Sequence, residues 1–377
     1  MTLRPFIFWP HLAAGVLAGS IILIMSVTGV LLTYEKQMLA WADARTRVEA
    51  PADASRLPME ALLSRVAADT GTLPSAVTVR ASADQAILVT AGGRTLLVDP
   101  YSGATLGDSA PRLRRFFRVV TDWHRWLAMS GEGRQTGRTI TGIANLLFLF
   151  IVVSGTYLWL PRRWSWRNVR AVAVFNRRLS GKARDFNWHN AIGIWCSVPL
   201  FLVVISITPV SFPWANALIY RLVGEAPPAP PQRAAGPQRP RPEPSFAGLD
   251  EAWRLAEAQV DGWNAITLRA PASPDAPLVF TIDRGTGGQP QERGTLTVTR
   301  ASGDASWEPF QALSTGRRVR SIARFLHTGE VLGIAGQTVA GIASLGGVFL
   351  VWTGLSLAFR RFFIRARVDE SRERTAA

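Results

Sequence analysis

The chain has 377 residues, 48% of them hydrophobic, a formal net charge of +15 and one cysteine, Cys196. A single cysteine excludes a disulfide framework, and no CxxCH motif offers covalent haem attachment. The positive charge is gathered in short segments between apolar runs, which points to membrane topology and away from nucleic acid as a partner.

Residues 5–34 contain no Asp, Glu, Lys or Arg, and the same holds for 139–161, 186–220 and 331–359. Each supplies the roughly 20 apolar residues that an α-helix needs to cross a hydrocarbon core about 30 Å thick. Backbone groups cut off from water must be satisfied within the segment, so all four are expected to be transmembrane helices. The first is too long for a signal-peptide core and lacks a small-residue cleavage site before Tyr34, so it is expected to stay attached.

Residues 35–123 are expected to form a first external domain. Met59 opens a helical pattern to about Asp69, and AVTVRAS, QAILVTA and RTLLVDPYSGATLGD read as strands with a turn at Pro100 to Gly103. Residues 124–161 hold His124 and the second span. The loop 162–185 has eight basic residues, from Arg162 to Arg184, against one acid, Asp185. The third span, 186–220, leads into a Pro-rich linker at 221–244. A second external domain, 245–326, has LDEAWRLAEAQV as its helix and NAITLRA, PLVFTID and GTLTVTRASGD as strands. His327 and the fourth span occupy 327–359, and the tail 360–377 carries six arginines against three acids.

The long loops are nearly balanced, with 14 basic against 11 acidic residues in 35–138 and 13 against 12 in 221–330. Basic short loops stay in the cytoplasm. Both termini and 162–185 are therefore expected inside, and both long loops outside.

The halves resemble one another. Gly137, Thr139, Gly142, Gly155, Leu158 and Arg162 recur as Gly336, Thr338, Gly341, Gly354, Leu357 and Arg361, always 199 positions later. His11 and Gly15 correspond to His189 and Gly193, and Ser26-Val27-Thr28 to Ser206-Ile207-Thr208. The fold class expected is an α-helical membrane protein with four transmembrane helices in two pseudo-repeats and two small α+β external domains. The repeated glycines are expected to permit close helix packing.

All four histidines lie at or just before the start of a span. His11 and His189 fall near the cytoplasmic face, His124 and His327 near the external one. One interfacial histidine is by default an anchor, but two pairs at corresponding positions suit a different role. A b-type haem needs an axial ligand on each face of its ring, and neutral imidazole suits iron. His11, His189, His124 and His327 are thus candidate haem-iron ligands, with room for a porphyrin edge at Gly15 and Gly193. Arg125, Arg162, Arg163 and Arg361 are candidate propionate partners, although positive-inside placement explains the last three equally. No flavin, nicotinamide or nucleotide motif is visible. An electron donor must come from elsewhere.

HLAAG with SVTGVLL, WHRWL with GRTITGIANLL and SGTYLWLPRRW, WHNAIGIW with SITP, and FLHTGE with TGLSLAFRR resemble the PepSY-associated transmembrane family, and VDPYSGATLG resembles the PepSY unit. The resemblance covers nearly the whole chain. It implies a bacterial inner-membrane protein with periplasmic PepSY-like domains, two b-type haems on the four histidines and reduction of a ferric siderophore. Electrons would come from a cytoplasmic reductant or a membrane quinol. The chain departs from the pattern at Pro209, where Thr-Pro replaces Thr-Gly, and at TRASGD, a degenerate form of DPYSGA. Catalytic residues at the ferric substrate are not visible. A haem-free iron-chelate transporter subunit and a membrane-anchored PepSY binding or regulatory module are the alternatives. Neither requires paired histidines at both faces.

Overall fold

The computed structural model describes residues 3–50, 55–161, 164–228, 246–271 and 273–364. In chain order the first half contains α1 (Arg4–Leu32), α2 (Glu35–Asp43), α3 (Met59–Thr70), β1 (Pro74–Arg80), β2 (Ile87–Ala91), β3 (Arg94–Val98), β4 (Thr105–Asp108), α4 (Pro111–Trp126) and α5 (Gly133–Trp159). The remainder contains α6 (Trp166–Ala173), α7 (Gly181–Ser211), α8 (Pro213–Leu222), α9 (Leu249–Ala258), β5 (Ala265–Arg269), β6 (Leu278–Asp283), β7 (Arg293–Val298), β8 (Ala305–Pro309), α10 (Thr315–His327) and α11 (Gly333–Phe359). These fall into two units, one built on the long helices and one on the strands.

In the helical unit, α1, α5, α7 and α11 each lie in a segment long and apolar enough to cross a membrane, as the four charge-free runs predicted. The chain is a membrane protein. α1 packs on α5 and α11, and α7 packs on the same two, so α1 faces α7 across the diagonal of the bundle. Small residues mediate these contacts: Ala18, Ala144, Ala191 and Ala343 are buried, whereas Leu17, Val198, Leu345 and Trp352 are exposed. With lipid outside, such a bundle is held by close backbone approach and not by apolar burial from water. A Cβ on Gly346 would lie 2.4 Å from Cys196 Sγ, so α7 and α11 meet at glycine, and the cysteine is a packing residue there.

The third span starts earlier than the charge-free run. α7 begins at Gly181, which brings Asp185 into its first turns as a buried carboxylate. Ser356 on α11 donates to it at 2.8 Å, and Arg184 and Arg360 pair with it at 2.9 and 3.6 Å. Partners on both sides satisfy a charge that a membrane helix would otherwise exclude.

In the strand unit, all eight strands form one antiparallel sheet in the order β4-β3-β2-β1-β5-β6-β7-β8. The two stretches expected as separate domains are therefore joined, β1 to β5, from Ala76 opposite Arg269 to Arg80 opposite Ala265. The Thr78 and Thr267 hydroxyls meet across this seam at 3.0 Å. Each half alone would leave an edge strand with unpaired N–H and C=O groups, and mutual pairing removes both edges. α3 and α9 contribute Leu62, Leu63, Val66, Leu249, Trp253 and Ala256 to a core shared with Val89, Ile266, Phe280 and Leu296.

The two turns are alike despite their sequences. Gly103, at φ +70°, donates to the Asp99 carbonyl, and Gly303, at φ +73°, donates to the Thr299 carbonyl. TRASGD thus keeps the backbone of DPYSGA, with glycine at the left-handed position in both.

α3 and α9 also cap each other. The Asp250 carboxylate accepts from the Glu60 N–H at 3.0 Å, and the Glu60 carboxylate accepts from the Leu249 N–H at 2.9 Å. Each acid satisfies an orphan donor in the other's first turn. Glu60→Ala and Asp250→Ala are each expected to destabilise the strand unit by about 1 kcal/mol. Their double mutant should fall short of the sum if the caps act together. Thermal unfolding followed by circular dichroism measures both.

Candidate functional site

His11 lies two turns inside α1 and His189 two turns inside α7, whereas His124 and His327 occupy the last turns of α4 and α10. Each ring has one hydrogen-bond partner at Nδ1, and all four distances are 2.9 Å. His11 on α1 reaches Ser154 Oγ on α5, and His124, just ahead of α5, reaches Thr28 Oγ1 on α1. In the other half His189 on α7 meets Thr353 Oγ1 on α11, and His327, just ahead of α11, meets the Val203 carbonyl on α7.

One of these partners fixes a tautomer. A carbonyl only accepts, so His327 Nδ1 carries the proton. The three hydroxyls can each give their single proton to a carbonyl one turn back: Thr28 to Ile24 at 2.6 Å, Ser154 to Phe150 at 2.6 Å and Thr353 to Phe349 at 2.7 Å. Each can then only accept from imidazole. In that arrangement all four rings are Nδ1–H tautomers with an unprotonated Nε2, the form that ligates a metal while Nδ1–H holds the ring in place.

The glycine after each hydroxyl has a second task. A Cβ on Gly155 would sit 3.1 Å from His11 Cε1, one on Gly354 3.3 Å from His189 Cε1, and one on Gly29 3.6 Å from His124 Cε1. Close helix packing, the expectation for Gly155 and Gly354, is corrected at these two: what they admit is an imidazole. Gly142 and Gly341 do meet a neighbouring segment, at Phe212 and Thr33. The hydroxyl-glycine pair recurs as Thr28-Gly29, Ser154-Gly155 and Thr353-Gly354, a signal legible in the sequence that the motif reading passed over. The fourth copy is Thr208-Pro209. There Thr208 is engaged by Asn145 Nδ2 at 3.3 Å, and His327 uses a backbone carbonyl instead.

The His124 and His327 ring centroids are 6.1 Å apart, with planes at 45°. Two imidazoles bound trans to one metal ion through bonds of about 2 Å would have centroids roughly 6–6.5 Å apart. The outer pair is thus spaced for an ion between the rings. His11 and His189 sit on diagonal helices, within electrostatic reach of each other. A Cβ on Gly15 would meet nothing within 4 Å, so space is open one turn from His11. The stretch of α1 from His11 to Thr28, the partner of His124, covers roughly 25 Å at an α-helical rise of about 1.5 Å per residue. The two pairs are therefore far apart along the bundle.

Among the described residues no three His, Cys, Asp or Glu side chains converge as a metal cage. Two imidazoles at this spacing suit an ion whose remaining positions are filled by a planar ring, and the donor set fits haem in that sense.

The arginines divide. Arg361 lies 5.0 Å from the Phe8 and Trp9 ring centroids, so its guanidinium is occupied by aromatic faces. Arg125 stacks over Trp126 at 4.6 Å beside His124. Arg162 and Arg163 lie outside the described residues.

A family model described as the PepSY-associated TM region matches residues 8–361. No curated protein sequence matches the chain.

Proposed function

We propose that this chain, which belongs to the family described as the PepSY-associated TM region, is a di-haem electron conduit that reduces a ferric siderophore outside the cytoplasmic membrane and releases Fe(II). The observation that carries the reading is the common anchoring of the four imidazoles: every Nδ1 is engaged at 2.9 Å, which leaves Nε2 available among the described residues. Four interfacial anchors would have no reason to share this arrangement.

In this reading His11 and His189 hold one b-type haem, and His124 and His327 hold the other. When bound, haem supplies a one-electron Fe(III)/Fe(II) couple whose potential follows axial ligation, burial and hydrogen bonding. Ser154, Thr28, Thr353 and the Val203 carbonyl orient the ligands and raise their basicity through Nδ1–H. Gly29, Gly155 and Gly354 leave the rings room, and the lipid-facing leucines and valines keep water from the bundle. The basic loop and tail support a reading with both termini in the cytoplasm of a bacterial inner membrane and the strand unit in the periplasm. The corresponding halves read as two repeats, and the electron donor is a cytoplasmic reductant or a quinol. Ferric hydroxamates hold Fe(III) far more tightly than Fe(II), so one electron added to the ferric complex frees the metal and leaves the chelator intact.

The test is the absorption spectrum of purified, detergent-solubilised protein before and after dithionite, with haem quantified per chain. Anaerobic addition of a ferric hydroxamate and an Fe(II)-specific chromogenic chelator follows. About two b-type haems per chain, reoxidised with stoichiometric Fe(II) release, is the expected result. A colourless protein after expression with added haem sinks the reading and favours a transporter or regulatory module. A coloured protein that the chelate cannot reoxidise sinks the ferric substrate.

A further inference from the structure

The rim of the helical unit beside His124 and His327 carries a cluster of arginines, of which Arg138 also donates to the Val210 carbonyl at 2.7 Å. Arg125 follows His124, Arg324 lies one turn before His327, and Arg134 and Arg138 lie one turn apart at the start of α5. The Arg125 and Arg134 guanidinium groups both stack on the Trp126 ring, 4.6 and 4.5 Å from its centroid. Arg125 and Arg324 flank His124 and His327, whose ring centroids are 6.1 Å apart, so the arginines gather on one rim. Among the described residues the one carboxylate paired with these four is Asp122, 3.6 Å from Arg134. All four arginines are exposed. On an external rim they run against the charge bias that orients a membrane protein, so topology does not explain them.

We propose that Arg125, Arg134, Arg138 and Arg324 form a binding site for a carboxylate-bearing anion at the mouth of the His124–His327 pair. The inference rests on the proposed function and names its substrate class: a ferric complex whose chelator presents carboxylates is favoured over a neutral or cationic one. Planar guanidinium forks match carboxylates in two-point contacts, and Trp126 holds two of the forks in fixed planes. The uncompensated charge also steers anions to the mouth. Carboxylates could equally come from the propionates of a haem held by His124 and His327, and the test separates the two sources.

The experiment uses the purified full-length protein with citrate as the probe, followed by calorimetry, and ferric citrate against cationic ferrioxamine B as oxidants of the dithionite-reduced form. Citrate is expected to bind and to be released by high salt, with affinity about tenfold weaker in Arg324→Gln and Arg134→Gln and only partly recovered in Arg324→Lys, which keeps the charge and loses the two-point contact. The ferric citrate concentration for half-maximal reoxidation should rise by about the same factor, with the ferrioxamine B value and the haem content unchanged. Should the variants instead lower haem content or shift its midpoint potential, affecting both oxidants alike, the carboxylates are propionates and the substrate assignment is overturned. Haem-loaded protein that ignores citrate, with all variants behaving as wild type, overturns the site. A colourless protein that still binds citrate through these arginines keeps the site and refutes the haem reading instead.

Discussion

Alanine at His124 is expected to lower the haem content from about two to about one per chain, and alanine at His327 to remove the same haem. The argument is geometric. The two rings are 6.1 Å apart and would serve one centre in the proposed arrangement, while His11 and His189 lie roughly 25 Å along the bundle by helical rise. Losing either ligand of a pair leaves one imidazole, which cannot hold a six-coordinate low-spin iron. His11→Ala and His189→Ala should therefore remove the other haem and leave the outer spectrum in place. Thr28→Val and Thr353→Val keep the ligands but free Nδ1, so they should weaken retention by about 10–100-fold without changing which haem is affected. Reduced-minus-oxidised spectra and pyridine haemochrome assays on the four alanine variants give the answer. If His124→Ala and His11→Ala abolish the same band, the pairing is wrong.

The second large effect concerns the strand unit. Asp43 is 7% exposed, and its carboxylate takes Arg114 Nη2 at 2.9 Å and the Ser109 hydroxyl. Arg114 also donates from Nε to the Ser109 carbonyl at 2.9 Å, tying α2, the β4–α4 junction and α4 together. Arg114→Met would strand a buried carboxylate, and loss of one partner of a buried pair typically costs about 3–5 kcal/mol. The expected readout is faster hydrogen exchange in peptides covering α2, β4 and the start of α4. Because the cost lies in the uncompensated charge, Asp43→Leu with Arg114→Met should restore much of the protection. Equal exchange in the single and double variants would mean that the bond matters for shape and not for charge.

The spans and most strands were legible because each has a strong local signal, a charge-free run long enough for a bilayer or a period of two between turn residues, whereas β8 at Ala305–Pro309 follows the last stretch with that period. The amphipathic helices α4 and α10 were not read, since their arginines mask an apolar stripe of Phe116, Val119 and Trp123, or of Val319 and Ile322. The four histidines could be picked out by position, but their partners could not. Ser154 and Thr353 sit inside ordinary apolar runs, and only the helix order shows that they meet His11 and His189. Asp185 reads as the end of a loop because a charge bounds an apolar run, whereas its partners Ser356 and Arg360 lie over 170 residues away. The joining of the sheet at β1 and β5 was equally hidden, because an alternating pattern announces a strand without saying which strand it pairs with.

That seam sets an order on biogenesis. β1 ends at Arg80 and β5 begins at Ala265, and α5 and α7 are synthesised between them. At about 5–20 residues per second, β1 waits on the order of 10–40 s for its partner. Throughout that interval its hydrogen-bonding edge is open while two further spans enter the bilayer. The sheet is therefore sealed only after most of the bundle has been made, and a chain halted between the second and third spans would present β1 as a template to any other extended strand.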